Sequence, residues 1–165
     1  MSRLALQALV MPIVMGAALA FAPTADARPS EAERVKAEIM AKLHAVEERL
    51  ARGDSATQIA GFLYADDVLL TGEGEANARR GMADAVAGVQ GWMDALGPNG
   101  AKGCKYSIPD PVVASAKTFG SFVVLKCKAN PPVLPEDMNL RMTYVWQKYR
   151  DGWRVRIELY ALGNM

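Results

Sequence analysis

The chain has 165 residues, of which 51% are hydrophobic and 22% are charged. Its length and apolar fraction fit one domain with a sizeable core. Lys plus Arg number 19 and Asp plus Glu number 18, which gives a net charge of +1. This balance argues against nucleic acid as the main partner, because such binding requires a basic patch or stripe.

The first part of the chain has the features of an export signal. Residues 1–3 form a short positive start, an apolar run follows, and Ala25-Asp26-Ala27 is an A-x-A cleavage site. We predict a signal peptide over 1–27 and a single domain over 28–165, in a periplasmic or secreted protein with no membrane contact after signal removal. The alternative is an uncleaved anchor. The apolar run is near the lower length limit for a bilayer span and contains Pro and Gly.

Three helices are predicted from apolar residues at three- and four-residue spacing. The first begins at a capping box over residues 30–33 and ends at Gly53, and Asp54 or Ser55 can cap a second, shorter one. The third covers 82–96. The apolar positions are Val35, Ile39, Leu43, Val46 and Leu50, then Ile59, Phe62 and Leu63, then Met82, Val86, Val89, Trp92, Met93 and Leu96.

The rest of the chain reads mainly as strands. A short strand over Asp67 to Thr71 lies between the second and third helices. Period-two alternation then predicts strands over about 103–115, 119–129, 138–149 and 153–162. Asp151-Gly152 is a hairpin signal between the last two. Three helices followed by antiparallel strands give the α+β class.

Cys104 and Cys127 are the two cysteines of the chain, and an even count in an exported protein suggests a disulfide. Both lie on apolar faces of consecutive strands. A turn near residues 116–117 leaves them two residues out of register, so we predict a bulge at 108–111, where prolines cannot donate to the ladder. The alternative is two buried free thiols. No Cys or His has ligand spacing, which predicts no metal site.

Two segments carry a family resemblance. Residues 59–72 with Arg80-Gly81 after them, and the closing hairpin over 144–158, resemble the nuclear transport factor 2-like superfamily, which includes SnoaL-like and ketosteroid isomerase-like proteins. The resemblance implies a single SnoaL-like domain: a cone-shaped α+β roll with N-terminal helices packed on a curved, mainly antiparallel sheet around an apolar pocket. It also implies a possible homodimer through the exposed face of the sheet.

The resemblance does not carry over the isomerase activity. Ketosteroid isomerases use an Asp base with a Tyr and a protonated Asp as oxyanion donors. Alignment places the base at Gly72 and the Tyr near Val46, and neither residue can fill its role. Glu73 adjoins Gly72, but alternation along an extended chain turns it to the other face. No residue is assigned to the third role, so the catalytic residues stay unknown and enzyme activity stays open.

Three other polar groups have ordinary structural interpretations. The pair Asp66-Asp67 is typical of a solvated cap between helix and strand. His44 is the one histidine, and its place beside the apolar stripe of the first helix favours a surface or core-edge position over a general base. Arg79-Arg80 suits an anionic ligand, although charged loop residues are usually only solvated.

A set rich in aromatic residues and methionine is predicted to line the pocket: Phe62, Trp92, Met142, Tyr144 and Trp146. In the last strand, alternation predicts that Trp153, Val155, Ile157 and Leu159 share one face, and that Glu158 and Tyr160 lie on the other. The leading hypothesis is an exported protein that binds a small apolar molecule without a cofactor. The alternatives are a SnoaL-like enzyme acting on a polycyclic or ketone-like substrate, and a dimeric interaction protein with a filled pocket.

Overall fold

A computed structural model describes residues 29–97, 99–109, 111–133 and 135–162. The predicted signal peptide lies outside these residues. None of the helices within these ranges is long and apolar enough to cross a membrane. The elements in chain order are α1 (Glu31–Arg52), α2 (Ala56–Leu63), β1 (Tyr64–Gly72), β2 (Arg79–Arg80), α3 (Gly81–Leu96), a short 3₁₀ turn (Gly100–Gly103), β3 (Cys104–Ser107), β4 (Pro111–Ala114), β5 (Thr118–Cys127), β6 (Met138–Tyr149) and β7 (Gly152–Leu162).

The helix ends follow the local sequence. The side chain of Ser30 accepts a hydrogen bond from the backbone N–H of Glu33, and the Glu33 carboxylate accepts one from the backbone N–H of Ser30. This is the predicted capping box of α1. α1 ends at Gly53, whose φ of 84° is the left-handed conformation that favours glycine. Ser55, and not Asp54, caps α2.

The strands form one sheet in the order β2-β1-β7-β6-β5-β3, with β4 also paired to β5. β1 and β7 are parallel, and the other pairs are antiparallel. The helices pack against this sheet, and the core between them includes the buried Leu43 of α1, Val68 of β1, and Phe119 of β5. The predicted α+β class, with helices packed on a mainly antiparallel sheet, is confirmed.

The predicted strand over 103–115 is divided into β3 and β4. Cys104 faces Cys127 in β5, whereas Ala114 faces Phe119, so the register shifts by two residues between these pairs. The sequence predicted this shift at residues 108–111. One step lies between Ser107 and Pro111, as predicted, and the other lies between Pro111 and Val113. Cys104 and Cys127 form a disulfide between facing positions of the two strands, and the predicted pairing is confirmed.

A bulge interrupts the hairpin of β6 and β7. Val145 of β6 faces Ile157 of β7. The next residue of β6, Trp146, faces Val155. Arg156 is therefore an extra residue in β7, and an extra residue reverses which side chains beyond it face the core.

The bulge overturns the predicted faces of the last strand. Trp153 is buried as predicted, but beyond the bulge the buried residue is Glu158, at 6% exposure. Tyr160 also turns inward, while Leu159 is 48% exposed on the outer face. The prediction that Ile157 and Leu159 share a face with Trp153 and Val155, and that Glu158 lies on the other, is wrong because strict alternation does not count the extra residue.

The turn between β6 and β7 differs from its prediction by one residue. Tyr149 pairs with Gly152, so the two loop residues are Arg150 and Asp151. Gly152, with a φ of 124°, is the first residue of β7. The Asp-Gly signal located the hairpin, but its glycine lies at the start of the strand.

Candidate functional site

A cavity of about 300 Å³ lies between α2, α3 and the inner face of the sheet. Its apolar wall includes Leu63, Val89, Leu125, Met138, Leu140 and Met142. Its polar side chains come from several elements: Tyr64, Arg79, Trp92, Tyr106, Tyr144, Glu158 and Tyr160. An apolar cleft with a few converging polar groups is the usual form of a small-molecule site.

Three of the five residues predicted to line a pocket lie in this wall. Trp92 comes from α3, where it is spaced three residues from Val89 and four from the buried Leu96. Met142 and Tyr144 come from β6, where alternation directs both to the inner face. The structure thus brings α3 and β6 together around one space.

Phe62 lies outside the cavity wall. Its ring lies beneath the Lys42 Nζ atom, 3.8 Å from the ring centroid, and the Arg49 guanidinium carbon is 4.2 Å from the same centroid. Position 62 of α2 faces α1, while Ile59 and Leu63 of the same helix face the cavity. Phe62 therefore joins two helices.

Trp146 packs in the core beside the cavity. It is fully buried, and its indole N–H donates to Ser121 Oγ at 2.9 Å. Its ring meets the Tyr144 ring edge-on, with centroids 5.3 Å apart. Trp146 thus packs against the Tyr144 ring within the core.

A buried carboxyl and tyrosine cluster forms the polar end of the cavity. The Tyr64 hydroxyl donates to Glu158 Oε2 at 2.5 Å. The Tyr144 hydroxyl donates to Met142 Sδ at 3.0 Å, and Tyr106 is buried beside Tyr64 and Tyr144. Tyr64 lies at the start of β1, and Glu158 follows the bulge of β7, so strands that are parallel neighbours bring the two together.

The pKa values in this cluster depend mainly on burial. Burial raises the pKa of Glu158 to about 7, although the hydrogen bond from Tyr64 and the charge of Arg79 oppose the rise. Burial, with the nearby Glu158 carboxylate, also raises the pKa values of Tyr64 and Tyr144 well above their usual range. At neutral pH both phenols keep their protons, and Glu158 titrates.

Arg79 enters the cavity from β2 and lies over Gly88 of α3. Its Nη1 atom is 3.0 Å from the place where a Cβ on Gly88 would stand, so the missing side chain leaves room for the guanidinium. Arg79 Nη2 is 2.8 Å from Glu75 Oε1 and 3.3 Å from the Tyr160 hydroxyl. Of the predicted Arg79-Arg80 pair, Arg80 alone is exposed to solvent.

Two buried donors in the wall have no acceptor. Arg79 Nε and Trp92 Nε1 are both inaccessible to water and have no hydrogen-bond partner among the described residues. A buried donor without a partner costs roughly 1–3 kcal/mol. Such atoms call for an explanation, and a bound molecule is one.

The position aligned with the isomerase base is covered by an aromatic ring. Gly72 pairs with Tyr160, and a Cβ on Gly72 would collide with the Tyr160 ring. Glu73 is exposed, as alternation predicted. The carboxyl in the cavity is instead that of Glu158, on a different strand.

The remaining sequence candidates lie away from the cavity. Asp66 and Asp67 are both exposed, and Asp67 forms an ion pair with Arg156 on the outer face of the sheet, at 2.6 Å. His44 is exposed on α1. Across the part of the chain that the structure describes, no cluster of three or more His, Cys, Asp or Glu side chains could hold a metal ion.

Sequence reasoning missed Tyr64 and Glu158, and it left Arg79 undecided. One signal for Glu158 was available, since it is the one charged residue among the last six of β7. Tyr64 gave a weaker signal, as the first residue after α2. Neither signal predicts that the side chain faces the cavity, because the face of Glu158 depends on the bulge at Arg156.

Comparison with solved structures identifies the fold. An NTF-2-like protein of unknown function from Shewanella oneidensis MR-1 superposes with a TM-score of 0.60 at 16% identity, over 76% of this chain and 97% of that chain. A ketosteroid isomerase-like protein from Erwinia carotovora atroseptica gives 0.57 at 20% identity, over 79% and 97%. An NTF2-like protein of unknown function from Pseudomonas putida KT2440 gives 0.58 at 16% identity, over 80% and 89%.

These likenesses show that the chain has the nuclear transport factor 2-like fold, and the fold that the sequence resemblance implied is confirmed. No protein-family model matches the chain, and no curated protein matches it. Identities of 20% or less show the fold alone.

Proposed function

We propose that this is an exported protein that binds a small, mainly apolar molecule in the cavity between α3 and the sheet. The observation that carries the proposal is the cavity of about 300 Å³ with apolar walls and an unpartnered indole N–H at Trp92. A pocket filled by its own side chains, as in the interaction-protein alternative, would leave no such space.

The size of the cavity bears on the class of ligand. Ligand pockets have volumes of roughly 300–1,000 Å³, so this one is at the lower end of the range. It suits a single ring or a short chain better than a polycyclic molecule. A polycyclic substrate, the suggestion taken from the SnoaL-like resemblance, would need the cavity to widen.

An acid–base enzyme is the second candidate, and Glu158 is the observation that favours it. A buried carboxyl with a pKa of about 7 can both donate and accept a proton at neutral pH, which is the usual requirement for a general acid or base. In such an enzyme Glu158→Gln would abolish turnover without weakening ligand binding. A binding protein has no turnover to lose, and the same variant would still bind the ligand.

The homodimer stays a prediction. The outer face of the sheet carries Leu159 at 48% exposure, together with the Asp67–Arg156 ion pair. The bulge thus places an apolar side chain on the face through which the resemblance implies dimerisation.

Export is tested by the mass of the protein. We expect protein from the exported fraction to begin at Arg28, because the A-x-A site precedes this residue. Intact mass spectrometry measures this directly. A mass that retains residues 1–27 would leave the uncleaved-anchor alternative in place.

Ligand binding is tested by Trp92→Ala with 1-octanol as a probe in calorimetric titration. We expect the affinity for 1-octanol to fall by about tenfold, which corresponds to about 1.4 kcal/mol, because the ring forms part of the wall. The free energy of unfolding should fall by less than the roughly 3–5 kcal/mol typical of a core aromatic residue, since Trp92 is only half-buried.

Trp153→Ala provides the matched control. Trp153 is buried outside the cavity, and its indole N–H donates to Glu38 at 2.8 Å. This variant should lower stability and leave the affinity for 1-octanol unchanged. Should Trp92→Ala instead cost core-like stability and keep its affinity, Trp92 is packing and the binding proposal loses its support.

A further inference from the structure

The two unpartnered donors of the cavity lie on the same wall. Gly88 and Trp92 are four residues apart on α3, so they share a face and are separated by one turn, roughly 5 Å. The Arg79 guanidinium lies over Gly88. Helical side chains lean toward the helix N-terminus, and this direction brings the Trp92 indole toward Arg79. Both donor atoms are closed to water in this structure, so one small acceptor group can meet Arg79 Nε and Trp92 Nε1 together once the two side chains turn toward it.

We propose that the ligand of this cavity carries a carboxylate, whose oxygens accept hydrogen bonds from Arg79 Nε and Trp92 Nε1 while its apolar part lies against α3 and β6. The inference rests on the proposed function, because it names the chemical class of the molecule that the cavity takes. It also gives a role to Arg79, which the sequence left between an anion site and a solvated loop residue.

The charge of Arg79 favours a carboxylate over a neutral carbonyl group. Arg79 is the one cationic residue among those that line the described cavity. Its ion pair with Glu75 joins Nη2 to Glu75 Oε1 and leaves both Arg79 Nε and the buried Glu75 Oε2 without a partner. Hydrogen bonds between guanidinium and carboxylate are charge-assisted and roughly twice as strong as bonds between neutral groups. A carboxylate also offers two oxygens to two donors.

A carboxylate in this place would interact with Glu158. The titratable groups that face Glu158 from other parts of the fold are Tyr64, Tyr106, Tyr144, Arg79 and Glu75. The tyrosines stay neutral and Arg79 is already paired with Glu75, so a ligand anion adds a negative charge beside Glu158 that no further cation of the cavity wall balances. This charge favours the protonated form of Glu158. Binding near pH 7 should therefore take up part of a proton, and affinity should fall as the pH rises through about 7.

The test compares octanoate, 2-octanone and 1-octanol, which share one chain length, by calorimetric titration of the mature protein. Octanoate should bind more tightly than the other two. Arg79→Met and Trp92→Phe should each weaken octanoate roughly tenfold, the value of one hydrogen bond to a charged group, and weaken 1-octanol less, so that the preference for octanoate is lost. Trp92→Phe keeps an aromatic ring and removes the N–H, so folding is preserved.

Two controls lie away from the cavity. Arg156→Met breaks an arginine–carboxylate pair on the outer face, and Trp153→Phe removes an indole N–H bound to Glu38. Neither variant should change the affinity for octanoate. Equal weakening by the matched variants would show a general loss of stability and overturn the assignment of Arg79 and Trp92.

Glu158→Gln tests the coupling to protons. The variant should keep octanoate binding, lose proton uptake in buffers of different ionisation enthalpy, and bind with an affinity that no longer changes near pH 7. Persistent proton uptake would overturn the role of Glu158.

The outcomes separate this inference from the proposed function. If 1-octanol binds, but octanoate does not bind more tightly or keeps its higher affinity in Arg79→Met, the proposal of a carboxylate ligand is wrong. The proposed apolar binding site would still hold. If none of the probes binds, both proposals fail.

Discussion

Removal of the Cys104–Cys127 disulfide should lower the free energy of unfolding by about 3 kcal/mol. The bridge joins residues 23 positions apart and closes the loop that contains β4 and the turn into β5. On the chain-entropy account, a cross-link restricts the unfolded chain more than the folded one. Both cysteines are almost fully buried at facing positions, so the native structure already holds them together.

Urea denaturation with and without reductant measures the effect, and the Cys104→Ala/Cys127→Ala double variant provides the control. Reductant should shift the midpoint of the wild-type protein and leave that of the double variant unchanged. Identical midpoints for the oxidised and reduced wild type would contradict the prediction. Because β3 also carries Tyr106 beside the buried cluster, reduction should loosen the polar end of the cavity as well.

The disulfide was predictable because several short sequence signals near the two cysteines point to the same pairing. Cys104 and Cys127 lie on apolar faces of consecutive strands, and the register between them follows from the turn and the prolines near residue 109. The helices were predictable for a similar reason, since capping residues such as Ser30 and Ser55 lie next to the helices they begin. In each case a few neighbouring residues determine the outcome.

The polar end of the cavity was not predictable in this way. The position of Glu158 depends on one extra residue at Arg156, which the pairing of β7 with β6 reveals and the composition of β7 does not. The entry of Arg79 into the cavity depends on the missing side chain of Gly88, on another element. Both features arise from contacts between segments that are distant in the chain. Period-two alternation therefore predicted β7 as a strand but assigned the residues after Arg156 to the wrong face.

The pH dependence of stability should report the burial of Glu158 directly. The pKa of this carboxyl rises from 4.5 to about 7 on folding. The folded state therefore binds a proton more tightly than the unfolded state, and unfolding free energy falls as the pH rises between these values. A shift of this size corresponds to about 3 kcal/mol. The unfolding free energy has lost this full amount once the pH exceeds about 7. Below pH 4.5 Glu158 is protonated in both states and no longer destabilises the fold.

Surface carboxylates act in the opposite direction, so the comparison must isolate Glu158. Hydrogen bonds and nearby cations lower the pKa values of Glu38 and Asp151, whose stabilising effect is lost as the pH falls below their usual range. The difference in unfolding free energy between wild type and Glu158→Gln cancels these contributions. Urea midpoints of both proteins, measured in a series from pH 4.5 to above 7, give this difference.

Relative to wild type, Glu158→Gln should gain stability steadily as the pH rises through this range and then level off. Tyr64→Phe provides the complementary case. It removes the hydrogen bond that opposes the rise in pKa, so the stability of this variant should keep falling at pH values where wild type has levelled off. A difference between wild type and Glu158→Gln that does not change with pH would show that Glu158 stays ionised in the folded protein. The buried carboxyl would then have a stronger partner than the Tyr64 hydroxyl. The acid–base enzyme would lose the raised pKa of Glu158, which is the observation that favours it.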